Sequence, residues 1–337
     1  MRLLRNTLAA AMMAGSTVTA FADGVAVTPD TYIRAETDVA FADFQRRANG
    51  KINTNAFVRQ PTLLADQPVI RMNRDTLYGS AVIDTEGGAT ITVPKADDGR
   101  YLSVLVIDND HYAPAVYYAP GTYELPGDTR YVALLYRVQL LDYVDPEDVA
   151  AANALQDRFL VQASSAVPFP APKWDLDSML ALRAEYEGEF SKFAQFESEW
   201  MGPRGEVNEK TRHLAAAGAW GLFPERDAVY INYAGPPDPG ACYTATYDTP
   251  ETEAFWSITV YGADGFMKSD NNVINDRNVT QNDDGTFTAY FGSEAACGAQ
   301  ANRVDISEGW NFLLRIYRPG PAVLSRKYTL PEVSVVQ

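Results

Sequence analysis

Two blocks of strand-like sequence flank a stretch of helical character, and that order limits what this chain can fold into. In the first block, residues 89–93, 101–107, 113–118 and 131–135 are rich in Val, Ile, Thr and Tyr. Turn sequences separate them: Glu86-Gly87-Gly88, Asp97-Asp98-Gly99, Ala119-Pro120-Gly121 and Pro126-Gly127-Asp128. Branched and aromatic side chains suit a pleated surface, while Gly, Pro and Asp supply turn geometry. The second block has strand candidates at 229–233, 242–247, 255–261, 286–291 and 311–317. Its turns are Gly235-Pro236-Pro237-Asp238-Pro239-Gly240 and Asp283-Asp284-Gly285. Short strands at this spacing predict antiparallel sandwich-like or barrel-like modules.

Helical patterns fill the rest. Residues 29–49 read as a helix that Asp30 can cap and Asn49-Gly50 can stop. Asp145-Pro146 is an N-cap followed by Pro at the first helical position, and Val149, Ala152, Leu155 and Phe159 follow near helical period. After a break rich in Pro at 168–172, a longer helix is expected beyond Asp175. Its apolar stripe is Met179, Leu182, Tyr186, Phe190, Phe193 and Phe196. Such a stripe packs into a core. A third, short helix is read at 214–220. The fold class is therefore α+β, mainly β: two antiparallel β modules, at 23–143 with a leading helix and at 227–337, joined by a helical segment at 144–226.

The first residues have the form of an export signal. Arg2 and Arg5 precede an apolar stretch at 8–14, and Ala20-Phe21-Ala22 has the small-x-small form of a cleavage site. Cleavage after Ala22 would deliver the protein to the periplasm or beyond. No later segment is long and apolar enough for a transmembrane anchor. Only two cysteines occur, Cys242 and Cys297, and in an exported chain an even count favours a disulfide. The net charge is −16, with no basic run interleaved with aromatics. Phosphate backbones would be repelled, which argues against nucleic acid as a partner.

Several chemistries are missing from the sequence. It has no Gly-x-Ser-x-Gly nucleophile elbow and no His-Glu-x-x-His. His111 and His213 are the only histidines, so a three-histidine zinc site cannot be built. No redox cofactor motif or Gly-rich phosphate loop is present. Oxygen-based groups remain. Asp108-Asn109-Asp110-His111 follows a strand and offers two carboxylates and an imidazole. It suits acid–base work, a calcium or magnesium ion, or a solvated turn with Asx bonds. Asn73, Arg74 and Asp75, with Tyr78, form either a polar pocket wall or a structural corner. Arg315 alternates with Leu313 and Tyr317 on a strand, where a buried guanidinium needs a carboxylate partner or a ligand.

Some of these segments carry a resemblance. Asn73-Arg74-Asp75-Thr76-Leu77-Tyr78, Gly99-Arg100-Tyr101 and Asp108 are followed by Tyr243, Phe255-Trp256, Tyr261, Asp283-Asp284-Gly285 and Arg315-Ile316-Tyr317-Arg318-Pro319. In this order they resemble a two-module bacterial family, domain of unknown function 1254 followed by domain of unknown function 1214. The resemblance implies an architecture and no particular activity. The second module of that family often carries Asn-Trp-Leu-Pro before its last strand, where this chain has Asn302-Arg303-Val304-Asp305, with Trp310 further on.

The reading that follows is an exported protein that binds or hydrolyses a small compound in a pocket between the modules. Asp75, Asp108 and His111 are its candidate acid–base groups. Asn73, Arg74, Tyr78 and Arg315 are its candidate ligand-binding groups. The contrasting reading is a non-enzymatic protein that recognises a cell-envelope component.

Overall fold

The computed structural model describes residues 24–193 and 195–336, and the export signal read at 1–22 lies outside them. The N-terminal module is built on a five-stranded sheet in the order Ala56–Phe57, Thr76–Asp84, Tyr131–Gln139, Leu102–Asp108, Ala115–Tyr117. One face of this sheet carries Leu77, Ile83, Val104, Val106, Leu134 and Val138. It packs on the helix Pro146–Gln156 and on a three-stranded sheet of Gly121–Glu124, Ala89–Val93 and Leu160–Ala163.

The C-terminal module is a sandwich of two four-stranded sheets. One runs Val273–Asn275, Trp256–Tyr261, Asn311–Tyr317, Ala228–Ala234; the other runs Arg303–Val304, Phe287–Phe291, Tyr243–Tyr247, Ser334–Val335. Strand pairs are antiparallel throughout except Phe287–Phe291 with Arg303–Val304. Among the described residues no sheet closes into a barrel. Trp256, Ile258, Val260, Phe287, Phe312 and Leu314 fill the space between the sheets. Trp310 joins them, its ring 5.1 Å from that of Phe291. Gly235 lies so close to Trp310 that a Cβ there would stand 2.1 Å from the indole.

The central strands are buried on both faces, because the two modules stack sheet to sheet. Every residue of Leu102–Asp108 and of Trp256–Tyr261 is buried. The alternation read in the sequence holds: Trp256, Ile258 and Val260 face the sandwich, while Phe255 and Tyr261 face the other module. Tyr101 of the N-terminal module meets Phe255 and Tyr317 of the C-terminal one, each at 5.5 Å between ring centroids. Edge and tilted aromatic contacts of this kind add about 1 kcal/mol each beyond area burial. The helices Tyr32–Arg47, Leu176–Phe190 and His213–Gly218 pack into the same intermodule core.

Local signals explain most element ends. Asp145 caps its helix by accepting from the Glu147 backbone N–H, with Pro146 next, and Asp175 caps the following helix through Asp177. Asp30 does not cap the first helix. Thr31 takes that place without a side-chain cap bond, and Asn49 and Gly50 adopt left-handed backbone at the other end. The helix after Asp175 stops at Phe190, although Phe193 and Phe196 continue the apolar spacing and still pack on the core. Residues 144–226 are not helical throughout, because Leu160–Ala163 pairs with Ala89–Val93. Cys242 and Cys297 form the disulfide expected from the sequence, with Cα atoms 5.0 Å apart.

Candidate functional site

Residues 71–75 leave the N-terminal module as a strap across the inner face of the C-terminal one. The Arg315 guanidinium donates to the Arg71 carbonyl at 2.7 Å, to the Tyr261 hydroxyl at 2.8 Å and to Thr259 Oγ1 at 3.1 Å. Tyr261 in turn donates to the Met72 carbonyl at 2.7 Å. Asn73 donates to the Tyr317 hydroxyl and accepts from the Asp75 backbone N–H. Arg74 pairs with Asp270 at 2.8 Å and lies 4.8 Å over the Tyr143 ring. Asp75 accepts from Asn275 at 2.7 Å. Burial pushes the Asp75 carboxyl above the usual carboxylate range, against the opposing influence of Ser257, Asn275 and the Arg315 charge. Asn73, Arg74, Asp75 and Arg315 therefore belong to one assembly, which holds the modules together.

Strand register extends that assembly into two facing polar rows. On the N-terminal sheet, Tyr78, Arg137 and Ser103 are consecutive cross-strand partners. On the C-terminal sheet, Asn275, Ser257, Arg315 and Tyr230 are likewise aligned. Both guanidinium charges, Arg137 and Arg315, act on Tyr78, Tyr230 and Tyr317. Thr76 Oγ1 and the Arg137 Nε and Nη1 are buried without a hydrogen-bond partner, while Asp75 with Ser257 and Tyr101 with Ser103 are neighbouring pairs whose side chains act on one another's titration. Tyr78 and Arg137 keep some accessible surface while Ser103, Ser257 and Thr259 keep none, so the layer is not closed at that point.

Asp108 and His111 are placed elsewhere. The strand stops at Asp108, and one of its carboxylate oxygens accepts from the backbone N–H groups of Asp110 and Tyr112, each at 2.9 Å. Arg204 reaches Asp110 at 2.8 Å and Asp108 at 3.5 Å. Burial raises the Asp108 carboxyl, and the two backbone bonds oppose the shift. His111 takes left-handed backbone (φ 63°), stacks on Trp220 and accepts from the Gly221 N–H. Burial, with Arg212 nearby, pushes its imidazole down to about 3, so it is neutral at physiological pH. Asn109 ties the turn to the first helix through Asp38. Among the described residues, neither Asp108 nor His111 shares a hydrogen bond, ion pair or ring contact with Asp75, Tyr78 or Arg315. The group read as one acid–base set is split in space, and the Asp108 turn has the Asx geometry that was its alternative. No group of three or more His, Cys, Asp or Glu side chains suited to a metal ion occurs among the described residues.

Nothing in the sequence marks Arg137, Ser103, Ser257, Tyr101 or Tyr230 as site residues. Arg137, Ser103, Ser257 and Tyr230 occupy ordinary polar positions in strands and Tyr101 immediately precedes one, and only sheet order shows that these positions face one another. A surface cavity of about 370 Å³ opens at the edge of the layer, lined in part by Lys95, Arg100, Tyr101, Tyr118, Glu253 and Arg318. Tyr101 is common to the cavity and the layer.

These features define a class: a β protein of two stacked modules that close over a polar, arginine- and tyrosine-rich layer. The chain is a two-module protein of the architecture its motifs suggested. A family model described as a protein of unknown function, DUF1254, matches residues 53–116, and one described as a protein of unknown function, DUF1214, matches residues 234–321. The VPA0106 protein from Vibrio parahaemolyticus has a similar fold, with a TM-score of 0.67 at 17% identity over 91% of this chain and 98% of that one. An uncharacterised protein from Burkholderia cenocepacia is similar with a TM-score of 0.54 at 16% identity, over 91% of this chain and 88% of that one. No match was found among curated proteins. At these identities the likeness concerns the fold alone.

Proposed function

We propose that this protein binds a small molecule in the polar layer between its modules. The observation that carries the reading is the Arg137 guanidinium, which has neither a hydrogen bond nor an ion pair and stands with the buried Thr76 hydroxyl, also unpartnered, among the polar side chains that both sheets turn to the layer. An unmade bond of this kind costs about 1–3 kcal/mol, and native interiors seldom leave several together without a reason. A ligand with oxygen and nitrogen functions would supply the partners. Binding is favoured over hydrolysis because the layer holds Asp75 but neither Asp108 nor His111. A role outside the cytoplasm accords with the disulfide and with the absence, among the described residues, of any helix long and apolar enough to cross a membrane.

Two substitutions test the site. In a thermal-shift screen of neutral, cationic and anionic small molecules, a compound that raises the Tm of the native protein should lose its effect in Asp75→Ala. Asp108→Ala should keep the response but lose about 2 kcal/mol of stability, because two backbone donors lose their acceptor. A response that survives Asp75→Ala and vanishes in Asp108→Ala would place the ligand at the wrong site for this reading.

A further inference from the structure

Arg137 is the group whose surroundings say most about the ligand. It stands in the middle strand of three, between Tyr78 and Ser103 in register, and its side chain is directed toward the other module. Its Cζ lies 4.2 Å from the Phe223 ring centroid and 5.6 Å from that of Tyr78. Among the described residues it makes no ion pair and no hydrogen bond, and Nε and Nη1 are both buried. Other buried arginines are matched: Arg100 by Asp98 and Asp148, Arg74 by Asp270, Arg212 by Glu209, and Arg315 by three oxygens.

The charge balance points the same way. Guanidinium groups are always protonated in proteins. Arg71, stacked 5.6 Å from the Tyr261 ring, also has a buried nitrogen without an acceptor. Arg71, Arg137 and Arg315 thus share the layer with the Asp75 carboxylate, which burial disposes toward its neutral form. Two further carboxylates at the edge have arginines of their own: Asp227, which accepts from the Tyr118 hydroxyl at 2.8 Å, lies 3.6 Å from Arg226, and Asp276 lies 3.3 Å from Arg277. A positive interior inside a chain of net charge −16 is suited to an anion. Ring faces attract a cation but do not replace a counter-ion for a guanidinium withdrawn from water.

We infer that the ligand is a small carboxylate with a flat aromatic body. This deepens the proposed function and rests on it. The planar fork of Arg137 matches a carboxylate with two parallel N–H···O bonds. The rings of Tyr78, Tyr101, Phe223, Tyr230 and Tyr317 around it suit a flat apolar body better than an aliphatic chain. The contact is direct recognition and involves no bond-making.

Calorimetric titration of the intact protein with benzoate, benzamide and acetate tests the assignment. Benzoate should bind at least tenfold more tightly than benzamide, which lacks the charge, and than acetate, which lacks the ring. Arg137→Met should weaken benzoate at least tenfold. Its ligand-free Tm should equal or exceed that of the native protein, because the substitution removes a half-buried charge that has no counter-ion. Phe223→Leu is the second variant and should narrow the preference for benzoate over acetate. Equal affinity for benzamide and benzoate would overturn the carboxylate assignment and leave the intermodule site intact. Equal affinity for acetate would overturn the aromatic body. A lowered Tm in Arg137→Met with unchanged benzoate binding would make Arg137 a structural residue. Failure of benzoate to bind, alongside an Asp75-dependent response to an uncharged compound in the screen, would overturn the inference while the proposed function stood.

Discussion

Reduction of the Cys242–Cys297 disulfide should lower folding stability by about 4 kcal/mol, the chain-entropy value for a loop of this length. The bridge ties the start of the strand Tyr243–Tyr247 to the short helix Glu294–Cys297, across a sequence separation of 55. The same strand receives the final strand Ser334–Val335, and the Val336 N–H bonds to the Cys242 carbonyl. Opening the bridge therefore loosens the outer sheet of the C-terminal sandwich and leaves the intermodule sheet paired. Chemical unfolding with and without reductant, repeated on a Cys242→Ala/Cys297→Ala variant, should show the loss in both cases. Equal midpoints would remove the disulfide from the account of stability.

Asp84→Ala should cost about 3 kcal/mol, because removing this buried carboxylate leaves the Ser165 hydroxyl and the Val167 N–H without their acceptor and frees the partly exposed Arg130. Asp84 accepts from Ser165 Oγ at 2.6 Å, from the Val167 N–H at 2.9 Å and from Arg130 at 3.1 and 3.2 Å. These bonds fasten residues 165–167 to the N-terminal sheet. Burial alone would raise the carboxyl, but Arg130, Ser165 and the backbone donors outweigh it and hold the pKa down to about 2. A depressed folded-state pKa gives stability that is fully present above the ordinary aspartate value near 4 and is lost as the pH falls toward 2. The native protein should accordingly lose stability between about pH 4 and pH 2, and Asp84→Ala should lose less of its remaining stability over that interval. A parallel decline in both proteins would assign the acid sensitivity to other carboxylates.

Strand positions were legible because branched and aromatic residues alternate between Gly, Pro and Asp turns, and Trp256, Ile258 and Val260 showed which face was core. The disulfide was legible because two cysteines admit one pairing. Buried Phe255, Ser257, Thr259 and Tyr261 were harder to interpret, since a partly polar strand face normally meets water and here meets a second sheet. Arg137 was hidden for a related reason. One arginine in a strand carries no signal until sheet order sets it between Tyr78 and Ser103. Asp108 and His111 drew notice as clustered titratable groups, yet their partners are local backbone and the neighbouring 204–221 segment, which no spacing rule reveals. The strand Leu160–Ala163 is four residues long, lies between a helix and a Pro-rich break, and is defined by its pairing with Ala89–Val93.

A crystal structure of the protein grown with benzoate tests most directly whether the layer between the modules receives an aromatic carboxylate on Arg137. Density is expected for the carboxylate on the Arg137 guanidinium, with the ring among Tyr78, Phe223 and Tyr230. Density confined to the surface cavity lined by Lys95, Glu253 and Arg318, with the layer unchanged around Arg137, would contradict it.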